Sequence, residues 1–161
     1  MTTIAVSVEH GCMAADQRMT DAGPMAHVKK IRRVGDCLYG LCGAVSPGLV
    51  FFKWFESGKR DLWRLYKMIG EDSRYGFSII ELGPEGLALW DGWGVRIPLL
   101  DRTFAVGTGA SAALAAMEEY GKTPEDAIRV AIKRDECSGL FTEPHVEYLL
   151  PPELKLKRKR G

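Results

Sequence analysis

The sequence is poor in the residues that most often build metal centres and disulfide frameworks. It contains three histidines and four cysteines among 161 residues. The histidines lack the spacing of metal ligands, and the cysteines form no pair with the spacing of a metal or redox motif. These absences argue against a bound metal or another cofactor. We therefore interpret the cysteines as reduced core thiols, as expected of a cytoplasmic protein.

Long apolar runs and an excess of charge of one sign are also missing. No stretch approaches the roughly 18 apolar residues of a membrane helix, and the N-terminus has no signal-peptide pattern. The 22 basic residues nearly balance the 21 acidic ones, and the net charge is +1. The overall charge therefore gives no reason to expect a membrane or a nucleic acid as a partner.

The length and the ordinary globular composition predict one domain over residues 1–150. The tail, residues 151–161, contains a basic run from Lys155 to Arg160. Such tails are usually solvated, and this one also offers positive charge for docking an acidic partner or a nucleic acid. The sequence leaves its role open.

Alternation of apolar residues with small or polar ones predicts strands from the start of the chain. Ile4, Val6 and Val8 share one face of the first strand. A tight turn at residues 9–11 returns the chain as a strand at 12–15, which brings Asp16 back beside the N-terminus. Further strands are predicted over residues 28–34, 37–42, 77–82, 87–90, 95–98 and 104–106.

Two helices are predicted in the middle of the chain. Ser46 as N-cap and Pro47 as first helical residue mark the start of one, and residues 59–69 show helical spacing. Hairpins and helices without parallel crossovers predict an α+β fold, in which helices cover two antiparallel sheets.

The glycine-rich loop at residues 107–111 has two interpretations. It resembles a phosphate-binding loop in its glycines, but it lacks the lysine and the spacing of a Walker motif. The favoured interpretation is a strand-to-helix turn, with Ser111 capping a helix over residues 111–120.

A last helix is predicted to begin at Thr123, its N-cap, and to end near Asp135. Helical spacing from Ile128 and Ile132 places Asp135 on the apolar face, where a carboxylate at a helix C-terminus requires a partner. If the helix ends earlier, Asp135 lies in solvent instead. The pattern does not decide between these alternatives.

Thr2 follows the initiator methionine directly. Removal of Met1 creates a residue that carries a hydroxyl nucleophile and a free α-amine, which titrates at about 7.7–8.0 and is therefore an effective general base. Many ordinary proteins also begin with Met-Thr, so this position alone does not indicate an enzyme.

Three further motifs resemble those of proteasome β-type subunits and the related bacterial HslV-like peptidases. The run Met13–Thr20 is similar to their A-D-x-R-x-T motif, and Arg134–Gly139 is similar to R-D-x-x-S-G. Val28–Arg33 reads V-K-K-I-R-R, close to the V-K-K-V-R-R of the HslV-like branch. The Met-Thr-Thr-Ile start matches that branch as well. The resemblance extends from Thr2 to about Tyr148.

The resemblance implies an N-terminal-nucleophile (Ntn) hydrolase with a four-layer αββα sandwich. It implies a threonine peptidase that acts on peptides or unfolded proteins inside a self-compartmentalising homo-oligomeric ring, with an ATPase unfoldase as a further partner. By matching positions, Thr2 is the nucleophile, Lys30 is a strand-borne ammonium that lowers the pKa of the hydroxyl, and Asp16 keeps that ammonium charged.

The resemblance also implies groups around the α-amine and the oxyanion. Asp135 and Ser138 correspond to residues that orient the amine, and Thr108 stands where the family usually has serine. The backbone N–H of Gly43 corresponds to the oxyanion hole. Within the basic run, period two does not choose between Lys29 and Lys30, and only the family match selects Lys30.

The same match implies a substrate pocket that is mostly apolar, with a preference for an apolar residue before the scissile bond. One of its members, Arg32, offers the alternative of admitting an acidic side chain. The implied pocket residues are Met19, Thr20, Val28, Arg32, Leu41, Val45 and Leu49.

Two other functions remain in competition with the peptidase. One is a catalytically silent proteasome-like scaffold or adaptor, which has no need for costly buried charges. The other is a module that docks a nucleic acid or another partner through the basic tail.

Overall fold

The computed structural model describes residues 2–19, 26–58, 61–70, 76–135 and 143–150. The strands in these segments are β1 (Thr3–Ser7), β2 (Cys12–Ala15), β3 (Arg18–Met19), β4 (Ala26–His27), β5 (Ile31–Val34), β6 (Cys37–Gly43), β7 (Phe77–Gly83), β8 (Gly86–Trp90), β9 (Arg96–Leu99), β10 (Thr103–Gly107) and β11 (His145–Tyr148). The helices are α1 (Val45–Glu56), α2 (Leu62–Ile69), α3 (Ala110–Glu118) and α4 (Pro124–Arg134).

Two antiparallel sheets form the centre of the fold. One has the strand order β10-β1-β2-β11, and the other has the order β5-β6-β7-β8-β9. β3 and β4 pair separately as a short two-stranded ribbon. In the first sheet, Ile4 lies opposite Ala15 and Thr3 lies opposite Gly107, so that three chain segments meet beside the N-terminus.

Successive side chains of β1 point to opposite faces of the sheet and pack in two different cores. Ile4 and Val6 pack against residues of the second sheet, including Ile80. Ala5 points to the opposite face, where it packs beneath α3 and α4 with small residues such as Ala127. Small side chains let these helices lie close to the sheet, whereas the large ones fill the space between the sheets.

An aromatic core joins α1 and α2 to the outer face of the five-stranded sheet. It includes Phe51 and Trp54 of α1 and Trp90 of β8. Helices therefore cover both outer faces of two packed sheets. The predicted α+β fold, a four-layer αββα sandwich, is confirmed.

Two helix starts differ from the predictions. α1 begins at Val45, so Ser46 is not its cap; the preceding Ala44 N–H is bonded to Gly76 O, and the helix leaves β6 directly. Pro47 is tolerated because first-turn amides have no intrahelical partner. α3 begins after Gly109, without Ser111 as cap.

α2 begins after Asp61, whose side chain accepts hydrogen bonds from two amides of the first turn. The predicted start at residue 59 lies outside the described residues. The Thr123 cap of α4 is confirmed, since its side chain accepts a hydrogen bond from Asp126 N.

The short strands β3 and β4 and the strand β11 were not predicted. β3 and β4 have only two residues each, too short for any alternation. β5 begins only at Ile31, so Lys30 precedes the strand and is not carried by it. Within the described ranges, no helix is long and apolar enough to span a membrane.

Candidate active site

A buried ion pair lies behind the N-terminus. Lys30 Nζ is 2.9 Å from Asp16 Oδ1 and 2.8 Å from Asp16 Oδ2. The Lys30 side chain is 5% exposed and the Asp16 side chain is fully buried. Lys29, by contrast, is exposed. Because burying an unpaired charge is costly, the position of Asp16 explains why Lys30 is the lysine that enters the interior.

Burial and the ion pair act on Lys30 in opposite directions. Burial, the larger effect, lowers the pKa of Lys30 below its ordinary value of 10.5, and the charge and hydrogen bonds of Asp16 raise it. Burial also raises the pKa of the nearby Cys42 thiol, which favours its neutral form. Lys30 is thus an ammonium whose charge depends on Asp16.

The same carboxylate anchors the first strand. Asp16 Oδ1 accepts a hydrogen bond of 2.7 Å from Thr3 N, and Oδ2 accepts one of 3.1 Å from Arg18 N. Asp16 N in turn donates to Thr3 O at 3.1 Å. The hairpin therefore places Asp16 beside the chain start, as the sequence predicts, and Asp16 holds both Lys30 and the residue after Thr2.

A second polar group approaches Thr2 from the loop between β10 and α3. Thr108 N donates to Thr2 O at 3.1 Å, and Thr108 Oγ1 donates to Asp135 Oδ2 at 2.5 Å. Asp135 is the half-buried C-cap of α4, because the helix ends at Arg134. Asp135 therefore has a polar partner, as an inward position requires. Ser138 lies outside the described residues.

The loop can approach Thr2 this closely only with glycine at position 107. Gly107 has φ +102°, and a Cβ there would lie 1.6 Å from Thr2 O. The buried Thr3 hydroxyl strengthens the same contact, since Thr3 Oγ1 accepts a hydrogen bond of 2.9 Å from Gly109 N. Sequence reasoning gave Thr3 no role, because β1 alternation marks it only as a small polar residue.

Gly43 is subject to a similar constraint at the end of β6. Its φ is +99°, and a Cβ would lie 2.3 Å from Gly76 O, so no larger residue fits without displacing the backbone. Gly43 lines the same cavity as Thr2.

This cavity has a volume of about 340 Å³. Six of the seven predicted pocket residues line it, and the seventh, Thr20, lies outside the described residues. Its lining consists of Thr2, Arg18, Met19, Val28, Lys29, Lys30, Arg32, Leu41, Gly43, Ala44, Val45, Leu49 and Phe52.

Four lining residues were not named from the sequence as site residues of any kind: Arg18, Lys29, Ala44 and Phe52. Phe52 had a detectable signal, since it follows Val45 and Leu49 at helical spacing on α1. Arg18 lies two residues after Asp16, beside the predicted Met19. Arg32 lies against another lining residue, with its guanidinium 5.0 Å from the centre of the Phe52 ring, and it forms a 3.6 Å ion pair with Glu56.

The described side chains contain no group of three or more histidine, cysteine, aspartate or glutamate residues placed to hold a metal ion. What they do assemble is a threonine at a cavity wall with a paired ammonium in the same wall. A fixed positive charge of this kind favours the ionised form of a nearby hydroxyl and stabilises developing negative charge.

Solved structures share this fold. The Thiobacillus denitrificans protein BPH matches with a TM-score of 0.65 at 18% identity, covering 94% of this chain and all of that chain. The same protein in complex with epoxomicin matches with a TM-score of 0.67 at 18% identity, covering 92% of this chain and all of that one. Eukaryotic HslV from Trypanosoma brucei matches with a TM-score of 0.62 at 20% identity, covering 91% of this chain and 98% of that chain.

No protein-family model matches the sequence, and no curated protein sequence matches it. The predicted likeness to HslV is thus confirmed at the level of the fold.

Proposed function

We propose that this chain is an N-terminal threonine peptidase of the proteasome β-type and HslV-like family, with Thr2 as nucleophile once Met1 is removed. One observation supports the proposal above all. Thr2 lines a substrate-sized cavity together with Lys30, a buried ammonium whose carboxylate partner also binds the amide of Thr3. A charged pair buried at this place has a clear chemical use beside a nucleophile and a doubtful one in a scaffold.

In this mechanism the free α-amine of Thr2 removes the proton of its own hydroxyl. The oxygen attacks the scissile carbonyl, and the Lys30 ammonium lowers the energy of the alkoxide as it forms. Asp16 keeps Lys30 protonated and in place.

The tetrahedral intermediate then collapses. The C–N bond breaks, the leaving amine takes the proton from the Thr2 ammonium, and an ester joins Thr2 to the acyl part of the substrate. A water molecule, deprotonated by the same amine, hydrolyses that ester and restores the hydroxyl.

Two further groups complete the proposed site. The backbone N–H of Gly43 donates to the oxyanion of the intermediate, a contribution of about 2.7–4 kcal/mol per donor in comparable sites. Asp135, bonded to Thr108, and Ser138 orient the α-amine. The 3.1 Å hydrogen bond from Thr108 N to Thr2 O supports the assignment of Asp135 to this role.

The cavity walls suit a peptide whose residue before the scissile bond is apolar. Met19, Val28, Leu41, Val45 and Leu49 all line it, and each buried methylene of a substrate side chain contributes about 0.8 kcal/mol.

We further propose that the peptidase domain spans residues 1–150 and that cytoplasmic copies assemble into a homo-oligomeric ring, to which an ATPase unfoldase delivers unfolded protein. Large apolar side chains that lie open to solvent, such as Trp63 at 66% and Leu100 at 100% exposure, support contacts with other chains.

Peptidase assays on three variants and the unaltered protein test the proposal. The Thr2→Ala variant loses the hydroxyl and should lose cleavage of fluorogenic peptides, whereas Thr2→Ser retains a hydroxyl and an α-amine and should keep measurable activity. Ser7→Ala removes a hydroxyl at the other end of β1 and should leave cleavage unchanged. Equal activity of Thr2→Ala and the unaltered protein would refute the proposal, and absence of cleavage in all of them would favour the silent scaffold.

A further inference from the structure

The lining of the Thr2 cavity carries charge of one sign. Four of its residues are cationic at neutral pH, namely Arg18, Lys29, Lys30 and Arg32, and among the described residues no carboxylate lines it. The whole chain has a net charge of only +1. Positive charge is therefore concentrated at this cavity and does not reflect a generally basic protein.

These charges differ in how far the protein neutralises them. Asp16 compensates Lys30 at 2.8 Å in the interior. Among the residues that the structure describes, Arg32 pairs with Glu56 at 3.6 Å, and both side chains are substantially exposed, at 39% and 46%. Pairs of this kind contribute little, so the Arg32 guanidinium retains the capacity to bind a second carboxylate. Lys29 is exposed to solvent.

The lining combines buried apolar residues with two cations that are more exposed. Leu41 is 7% exposed and Phe52 is 1% exposed. Lys29 is exposed and Arg32 is half-buried, whereas the buried cation of the lining, Lys30, is paired with Asp16. An apolar substrate side chain can pack against Leu41 and Phe52, while Lys29 and Arg32 remain accessible to a neighbouring residue of the substrate.

We infer that this cavity selects peptides in which a residue next to the apolar one before the scissile bond is acidic. Lys29 and Arg32 are the specificity-determining residues. This inference rests on the proposed peptidase function and adds the charge of the substrate to it. A cleft lined by one sign of charge raises the local concentration of oppositely charged ligands and speeds their association.

Matched fluorogenic peptides test the inference. Each peptide keeps leucine before the scissile bond and carries glutamate, glutamine or lysine at one of the two preceding positions. At low salt, kcat/KM should follow the order glutamate, glutamine, lysine at one of these positions, with a glutamate-to-glutamine ratio of about 3 to 10. At 0.5 M NaCl the ratio should shrink toward one, since salt screens exposed charges.

Variants assign the preference to residues. Lys29→Gln and Arg32→Gln should each lower the glutamate-to-glutamine ratio. Glu56→Gln should raise it, because it removes the carboxylate that competes for Arg32. Lys53→Gln, an exposed lysine of α1 outside the cavity lining, should leave the ratio unchanged.

The outcomes separate this inference from the proposed function. Cleavage of glutamate and glutamine peptides at equal rates at both positions, or a ratio unaffected by Lys29→Gln and Arg32→Gln, overturns the charge preference and leaves the peptidase intact. Failure to cleave any peptide, together with an unmodified Thr2 after treatment with a threonine-directed inhibitor, overturns the peptidase and the inference with it.

Discussion

Asp16 holds Lys30 through both carboxylate oxygens, at 2.9 and 2.8 Å, and neither side chain is more than 5% exposed. The same Asp16 oxygen that is 2.9 Å from Lys30 also accepts the Thr3 amide at 2.7 Å. One buried carboxylate therefore fixes both a charge of the proposed site and the start of the strand that follows the proposed nucleophile, Thr2. Stability and activity are expected to depend on this residue together.

Replacing Asp16 by asparagine tests that dependence. Asp16→Asn leaves the Lys30 charge buried without its carboxylate, so the free energy of unfolding should fall by about 3–5 kcal/mol. Peptidase activity of the folded fraction should fall as well, because Lys30 then loses its proton more readily. Urea unfolding with a parallel peptide assay measures both. Asp36→Asn, in the exposed turn between β5 and β6, should change the stability by less than about 0.5 kcal/mol.

The pH dependence follows from the lowered pKa of Lys30. Between this pKa and the ordinary value of 10.5, the unfolded chain binds more protons than the folded one, so stability should rise with pH across that window. Activity should fall across the same window, because the ammonium is lost.

Profiles of kcat/KM and of urea unfolding against pH check both signs. In Lys30→Arg the charge persists to higher pH, so the alkaline fall in activity should move upward or disappear. An alkaline limb at the same pH in both proteins would show that Lys30 does not set it.

Gly43→Ala is predicted to be destabilising and inactivating. A Cβ at this position meets Gly76 O at 2.3 Å, and its φ of +99° is unfavourable for alanine. Gly86→Ala is the matched control, since Gly86 has a similar φ of +118° but open space around it. Both variants share the cost of the backbone conformation, and only Gly43→Ala should also lose peptidase activity. Equal activity of the two variants would contradict the close packing at Gly43.

Thr108→Val removes the hydroxyl that donates to Asp135 at 2.5 Å. Activity should fall about tenfold, the lower end of what a hydrogen bond to a charged group contributes. Thr108→Ser retains the donor and should recover most of the activity. Steady-state kinetics of the three proteins measure this, and a loss that serine fails to restore would point to the methyl group of Thr108 instead.

Much of the fold could be predicted from local patterns. The period-two alternation of Ile4, Val6 and Val8 and the turn at residues 9–11 predicted the first hairpin and the return of Asp16 to the N-terminus. The Thr123 N-cap could also be predicted, because capping depends on residues close in sequence. The start of α1 was not, since Ala44 is held by Gly76, a residue distant in sequence.

The same rule applies to the site: features that depend on residues distant in sequence could not be predicted. Period two could not choose between Lys29 and Lys30, because the choice depends on the distant Asp16 and on the start of β5 only at Ile31. Thr3 was missed since its partner, Gly109, is distant in sequence and follows β10, the neighbouring strand. Arg18 and Lys29 were missed as cavity residues because their common sign of charge becomes visible only when the lining is assembled.

The intact mass of the purified protein, before and after incubation with epoxomicin, is the most direct test of the central claim. Epoxomicin is the compound found in complex with the Thiobacillus denitrificans protein of the same fold, and epoxyketones react with both the hydroxyl and the free amine of an N-terminal threonine. The account predicts that Met1 is absent and that a single adduct forms on Thr2, with loss of peptide cleavage. An active protein that retains Met1, or an adduct that still forms in Thr2→Ala, would contradict it.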